Sequence, residues 1–147
     1  LSLVLSRPEI QRAFVADELA RSFLHSHSYT GNPLACRAAL ATLDIFAEDH
    51  VLEANQARSR KLTEALAPLA NHERTKNFRN RGMIWAFDAV DAPPDFSRRF
   101  FTEATRNELL LRPIGSTVYL MPPYILSDEE ISGLAERTLT VFEKVIA

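Results

Sequence analysis

Six consecutive residues, His25-Ser26-His27-Ser28-Tyr29-Thr30, each carry an imidazole or a hydroxyl, and they run into Gly31-Asn32-Pro33 and an alanine-rich apolar pattern. This is a polar loop feeding a helix. Asn32 is a favoured N-cap, and Pro33 suits the first helical position, where its missing N–H costs nothing. Free backbone N–H groups and the helix dipole at such an end favour anions. Loop hydroxyls and helix terminus together outline a phosphate or carboxylate site; on composition alone, an ordinary polar loop is the plainer reading. Arg112 is a second candidate. It follows the apolar run Leu109-Leu110-Leu111 and precedes Pro113. A guanidinium at the end of a buried strand needs a partner, because an unpaired buried charge is costly. A carboxylate ligand held by two parallel hydrogen bonds would serve, and so would a salt bridge to an internal Asp or Glu. Tyr119 lies on the following strand, on the face opposite Val118 and Leu120; taken alone it reads as a core or edge aromatic.

Metal and nucleophile chemistry find less support. His25 and His27 could share a cation, but a zinc site wants three or four ligands. Cys36 falls on the second turn of the expected helix, and His50 and His72 are distant in sequence. No metal site is expected, and Cys36 reads as a small buried thiol rather than a nucleophile.

The elements that must position these residues follow from hydrophobic spacing. Leu1–Leu5 is a short apolar run, more strand than helix. Arg7–Leu24 reads as a helix with a partial face of Ile10, Phe14 and Leu19. Pro33–Glu48 is a helix with Ala35, Ala38, Ala39, Thr42, Ile45 and Phe46 on one stripe. Leu52, Asn55, Ser59, Leu62, Leu66 and Leu69 recur at helical spacing, which predicts a helix over Val51–Leu69 that ends before Asn71 and His72. Met83–Val90 reads as an internal strand. Asp95–Glu108 is a helix with Phe96, Phe100, Phe101 and Ala104 inward. Leu109–Arg112 and Thr117–Met121 read as two strands around a turn at 113–116, the second stopped by Pro122-Pro123. Ser127 through Glu130 form a capping box for a last helix with Ile131, Leu134, Ala135, Thr138, Phe142 and Val145 on one side. The sum is a small α+β arrangement, helices layered over a mostly antiparallel sheet.

The chain has 147 residues, enough for one real core. An apolar content of 46% fits a globular protein rather than a disordered one. The net charge of −2 gives no electrostatic reason to propose nucleic acid. Clusters such as Arg98-Arg99 read as solvated faces. No apolar stretch approaches the ~20 residues of a membrane span, and no signal peptide is visible. The single cysteine excludes an internal disulfide and fits a reducing compartment, so a cytoplasmic location is expected.

The loop, continued through Leu34-Ala35-Cys36, resembles that of the class III (omega-type) pyridoxal-phosphate aminotransferases, usually His-Gly-His-Thr-x-x-Gly-Asn-Pro-Leu-Ala-Cys. The segment Leu111-Arg112-Pro113-Ile114-Gly115-Ser116-Thr117-Val118-Tyr119-Leu120-Met121-Pro122-Pro123-Tyr124 resembles the C-terminal substrate-binding segment of one branch, the 7,8-diaminopelargonic acid aminotransferases of biotin synthesis. The resemblance covers essentially the whole chain but only about the last third of a family member. It implies an α/β, fold-type I pyridoxal-phosphate enzyme, with residues 1–45 as the last piece of the large domain and residues 46–147 as the small C-terminal α+β domain. It implies that His27 and Ser28 anchor the cofactor phosphate of the other subunit in a homodimer, Ser28 standing where the family has Thr. Ser26 stands where the family has Gly, beside substrate and cofactor. Arg112 matches the arginine that grips the keto-acid carboxylate, and Tyr119 lies near the substrate. The reaction implied converts 8-amino-7-oxononanoate to 7,8-diaminononanoate, with S-adenosylmethionine as the expected amino donor. Another class III omega-aminotransferase and a non-catalytic dimerisation or binding remnant are the alternatives.

Transamination needs a lysine to form the Schiff base and an acid on the pyridinium nitrogen. Lys61, Lys76 and Lys144 are the only lysines, and none stands in the family's lysine motif. In the family that lysine lies shortly before the strand matching Leu1–Leu5, so no catalytic residue is assigned, and the chain alone is expected to be inactive. An apolar run at the very start suggests a chain cut from something longer. An alanine-rich helix and an exposed apolar run parted from their partners predict weak stability or self-association of the isolated chain. Sedimentation and thermal melting check this; a cooperative, monomeric melt overturns it.

Overall fold

A computed structural model describes residues 2–147. The chain divides into two units, one ending at Asp49 and one running from His50 to Ala147. In the first unit, residues 3–5 are exposed and no ladder pairing involves them, so the strand expected at Leu1–Leu5 does not form there; Leu1 lies outside the described residues. An extended apolar run becomes a strand only when a neighbour takes up its N–H and C=O groups. The helix expected over Arg7–Leu24 is also not continuous. Helix α1 covers only Pro8–Arg12, and a 3₁₀ turn follows at Leu19–Arg21. Ile10, Phe14 and Leu19 are exposed, and a short helix without a packed face is marginal. Helix α2 runs over Pro33–Glu48 as its spacing predicts, and the Asn32 side chain accepts from the Ala35 N–H at 3.0 Å. No residue of α2 is buried; Leu34, Leu40 and Leu43 lie exposed.

In the second unit, helix α3 (Val51–Ala65) stops at Leu66, and a single turn, α4 (Ala67–Ala70), follows. The long helix expected over Val51–Leu69 breaks here because Pro68 has no N–H for the Glu64 carbonyl and its ring crowds that turn. Next comes β1 (Thr75–Arg81), a strand the spacing missed. Its sequence is nearly all polar, with no alternation for burial to reveal, because it forms the edge of a three-stranded sheet ordered β1-β2-β3. A bulge between Lys76 and Arg79, with Asn77 at φ 52°, kinks that edge, a common way to blunt an open strand. Gly82, at φ 57°, turns the chain into β2 (Ile84–Ala89).

Strand β2 is the central strand, as its apolar character predicts. It pairs antiparallel with β1 and with β3 (Thr117–Leu120), in the register Phe87↔Val118 and Ala86↔Tyr119. Alternation decides the faces. Trp85, Phe87, Val118 and Leu120 are fully buried, while Ala86, Asp88, Thr117 and Tyr119 share the other face and are half-buried. Helix α5 (Phe96–Arg106) buries Phe96, Phe100 and Ala104; Phe101, expected inward, is exposed because the third buried position on its face belongs to Glu103. Helix α6 (Asp128–Ile146) starts with the predicted capping box, Ser127 and Glu130 each bonded to the other's backbone. It buries Ile131, Ala135, Thr138, Val141, Phe142 and Val145. Phe142 meets Phe87 edge-to-face at 5.3 Å and His72 at 5.1 Å. No helix is long and apolar enough among the described residues to cross a membrane.

Glu103 is the charged group that ties the helices together. Its carboxylate accepts from Lys144 on α6, from Asn107 at 3.1 Å and from Arg106 at 3.4 Å. The Lys144 hydrogen bond, foremost, holds this carboxyl below the ordinary glutamate value of 4.5. In the unfolded chain Glu103 binds its proton near that ordinary value, whereas the folded chain resists protonation until lower pH. The unfolded state therefore holds more protons in this window, and stability rises with pH through it. Below pH 4.5, denaturant unfolding followed through the single, buried Trp85 should show a stability loss that Glu103→Gln flattens, with the variant less stable at neutral pH.

Candidate functional site

The polar loop of the first unit is held by Thr30. Its hydroxyl oxygen accepts from the His27 N–H at 3.0 Å and from the Ser26 hydroxyl at 3.2 Å. Two backbone turns, Thr30 N–H to His27 C=O at 2.9 Å and Asn32 N–H to Tyr29 C=O at 3.0 Å, carry the chain into α2. The His27 ring stacks on Tyr29 at 5.2 Å with an interplanar angle of 2°, and His25 meets His27 edge-on. Thr30 is thus a loop-forming residue that residue-type reasoning passed over; its hydroxyl just ahead of a Gly-Asn-Pro turn was the available signal.

The anion reading of this loop needs one correction. The first turn of α2 has few free donors to offer. Pro33 has no N–H, the Ala35 N–H is bonded to the Asn32 side chain, and the Cys36 N–H to the Asn32 carbonyl. The same Asn-Pro pair that starts the helix closes most of its anion-binding end. Loop side chains remain. Ser28 is exposed, and its hydroxyl has no partner among the described residues. Ser26 already donates to Thr30, so its oxygen is left as an acceptor. Of Ser26 and Ser28, only Ser28 keeps a hydroxyl donor free among the described residues.

In the second unit the chain brings Arg112 and Tyr119 to one hollow of about 370 Å³, walled by Leu109, Leu111, Leu126 and Leu134. Leu109–Arg112 is not the ladder strand expected. Only Ile114 bridges to Thr117, through bonds of 2.9 and 3.0 Å. The segment is extended all the same and alternates strictly: Leu109, Leu111 and Pro113 are buried, Leu110, Arg112 and Ile114 exposed. That alternation overturns the expectation of a buried, paired guanidinium. Arg112 stands on the outer side and has no hydrogen-bond or ion-pair partner among the described residues. A cation already in water needs no internal acid, and its five donors are left for a ligand.

Tyr119 is fixed by its strand. Its neighbours Val118 and Leu120 are in the core, and the cross-strand pair beside it is Asp88↔Thr117. Asp88 accepts from Asn77 at 2.9 Å, Thr117 at 2.7 Å and Arg79 at 3.5 Å. The Asn77 and Thr117 hydrogen bonds lead in holding its carboxyl below the ordinary aspartate value. This network, absent from the sequence reading, locks β3 to the central strand; only the register of β2 against β3 shows it. Ser26, His27 and Ser28 belong to the first unit, and Arg112 and Tyr119 to the second. The three lysines lie elsewhere in the second unit: Lys61 on Asp128 at 2.7 Å, Lys144 on Glu103, and Lys76 in β1 opposite Asp88.

Known proteins resemble this chain over most of its length. An adenosylmethionine-8-amino-7-oxononanoate aminotransferase of Helicobacter pylori is 43% identical over 146 residues, 92% of this chain. The crystal structure of an enzyme of that name from Methanocaldococcus jannaschii superposes with a TM-score of 0.80 at 28% identity, over 95% of this chain and 34% of that one. An amine transaminase from an uncultivated Pseudomonas species, solved with pyridoxal phosphate bound, gives 0.75 at 27% identity, over 88% of this chain and 31% of that one. The mixed helix-and-sheet fold is therefore part of a fold-type I transaminase fold. This chain spans 34% of the Helicobacter relative's length. The family model for class-III aminotransferases matches residues 1–143. Both the polar loop and the arginine–tyrosine hollow fall inside that match, and the chain belongs to the class-III aminotransferase family.

Proposed function

We propose that this chain is the C-terminal portion of a pyridoxal-phosphate aminotransferase that converts 8-amino-7-oxononanoate to 7,8-diaminononanoate in biotin synthesis. The carrying observation is Arg112, an exposed guanidinium without an internal partner, set beside Tyr119 on an apolar-walled hollow. Names shared by the Helicobacter and Methanocaldococcus relatives support the substrate and S-adenosylmethionine as amino donor. Pyridoxal phosphate, when bound, supplies the electron sink through which an amino group passes between two substrates. Ser28, through its hydroxyl, and His27 would hold the cofactor phosphate of the other subunit. Arg112 takes the acceptor's carboxylate in a two-point grip, which orients the chain of the keto acid. Tyr119 and Ser26 shape the substrate's surroundings. None of the three lysines stands in the family's lysine motif, so the chain alone is inactive in this reading.

A homodimer with a shared site is part of the proposal. Its support is the first unit, where Leu3, Phe14, Phe23, Leu34, Leu40 and Leu43 are exposed and no described residue is buried; apolar surface on that scale marks an interaction face. Residues 1–45 would then close the large domain and residues 46–147 form the small one. The cytoplasm is the proposed location, on the single cysteine. The amine transaminase likeness favours a second reading, an omega-aminotransferase of other specificity.

The test uses the protein as its gene encodes it, with pyridoxal phosphate. It should turn over 8-amino-7-oxononanoate, and Arg112→Ala should raise KM for that acid about tenfold to a hundredfold, the loss of charged hydrogen bonds of ~1.5–3 kcal/mol. Arg112→Lys should recover part of the loss. Turnover of other keto acids but not this one selects the second reading; no turnover of any overturns both.

A further inference from the structure

We propose that Ser97 is a positioning residue for Arg112: its hydroxyl holds the Pro113 carbonyl and so fixes the backbone from which the guanidinium is presented. The inference rests on the reading of Arg112 as the carboxylate-binding residue.

The backbone around Arg112 is held by few hydrogen bonds. The Leu109 N–H is bonded to the Ala104 carbonyl at 2.9 Å, and the next backbone pairing comes at Ile114 with Thr117. Between them Leu110, Leu111 and Arg112 make no backbone–backbone hydrogen bond among the described residues. Burial of Leu111 and Pro113 fixes which side faces in, but burial is non-directional and leaves torsions free. The one side-chain hydrogen bond to this stretch among the described residues is from the Ser97 hydroxyl to the Pro113 carbonyl, 2.8 Å long.

One bond suffices because of what Pro113 is. Its ring locks φ, the peptide bonds on either side are planar, and a residue before proline is restricted to extended conformations. The soft torsion left at Pro113 is ψ, and the Ser97 bond fixes the carbonyl that ψ swings. Ser97 lies in the first turn of α5, whose Phe96 and Phe100 are anchored in the core. The anchor is therefore rigid, half-buried and next to the residue it serves. Ser97, Arg98, Arg112 and Pro113 also border a second hollow on the α5 side. Arg112 thus borders both hollows, and a segment with ψ free at Pro113 could shift it between them.

The experiment is again on the protein as its gene encodes it, with two readouts: calorimetric binding of nonanoate, a plain nine-carbon carboxylate, and the steady-state constants for 8-amino-7-oxononanoate. Ser97→Ala should weaken nonanoate binding and raise the acid's KM by the same factor, about threefold to tenfold, with kcat held. Ser97→Thr, which keeps the hydroxyl, should restore both. In an Arg112→Ala background, Ser97→Ala should add nothing. If Arg112→Ala weakens nonanoate but Ser97→Ala does not, or does so equally with Arg112 absent, the proposal is overturned. A Ser97→Ala variant that lowers melting temperature and kcat at unchanged nonanoate affinity also overturns it, as a purely structural role. If Arg112→Ala leaves nonanoate binding unchanged, the Arg112 reading itself falls and takes this inference with it.

Discussion

The contact on which the second unit depends is the burial of one sheet face under α3 and α6. Trp85 and Phe87 on the central strand, with Val118 and Leu120 beside them, are sealed from water, and Phe142 closes on Phe87 edge-to-face. Burying a large apolar side chain is worth about 1.5–3 kcal/mol, so this layer outweighs any polar pairing on the surface. It also sets the rest. Side chains alternate along a strand, so fixing Val118 and Leu120 inward forces Thr117 and Tyr119 outward. A register slip of one residue would bury Tyr119 and expose the core.

Polar interactions then refine what the core has fixed. The Trp85 indole donates to Thr63 at 2.9 Å, which satisfies a donor that would otherwise be buried unpaired. Asp88, gripped by Asn77 and Thr117, ties together all three strands on the outer face. Glu103 does the same for α5 and α6, its negative charge met by Lys144 and Arg106. Arg112 is the contrasting case: a cation that no acid meets among the described residues, on a segment held by few bonds.

The first unit is built differently. Its helices are defined by local chemistry, Pro8 at the start of α1 and Asn32-Pro33 at the start of α2, rather than by burial. Thr30 organises its loop through two short-range hydrogen bonds, which leaves the Ser28 hydroxyl exposed. Structure of this kind is specified by neighbouring residues, and without a core of its own it is marginal, as the shortness of α1 shows.

Much of this was legible in the residues alone. Caps and strong periodicity are local signals, so α2, the capping box of α6, the central strand and the outward face of Tyr119 follow directly from sequence. The loop and the Leu111–Tyr124 segment pointed to the family because their residue types are themselves the chemistry. Three things required the tertiary structure. Strand β1 is an edge whose polar sequence carries no pattern, and only pairing with β2 makes it a strand. Leu109–Arg112 alternates like a strand but finds no ladder, because strand character in sequence reports a buried face and not a hydrogen-bonded neighbour. The partners of Asp88 and Glu103, and the lack of one for Arg112 among the described residues, depend on what lies up to 41 residues away along the chain. Spacing within an element encodes which face is buried, whereas the pairing of charges is decided only when separate elements meet.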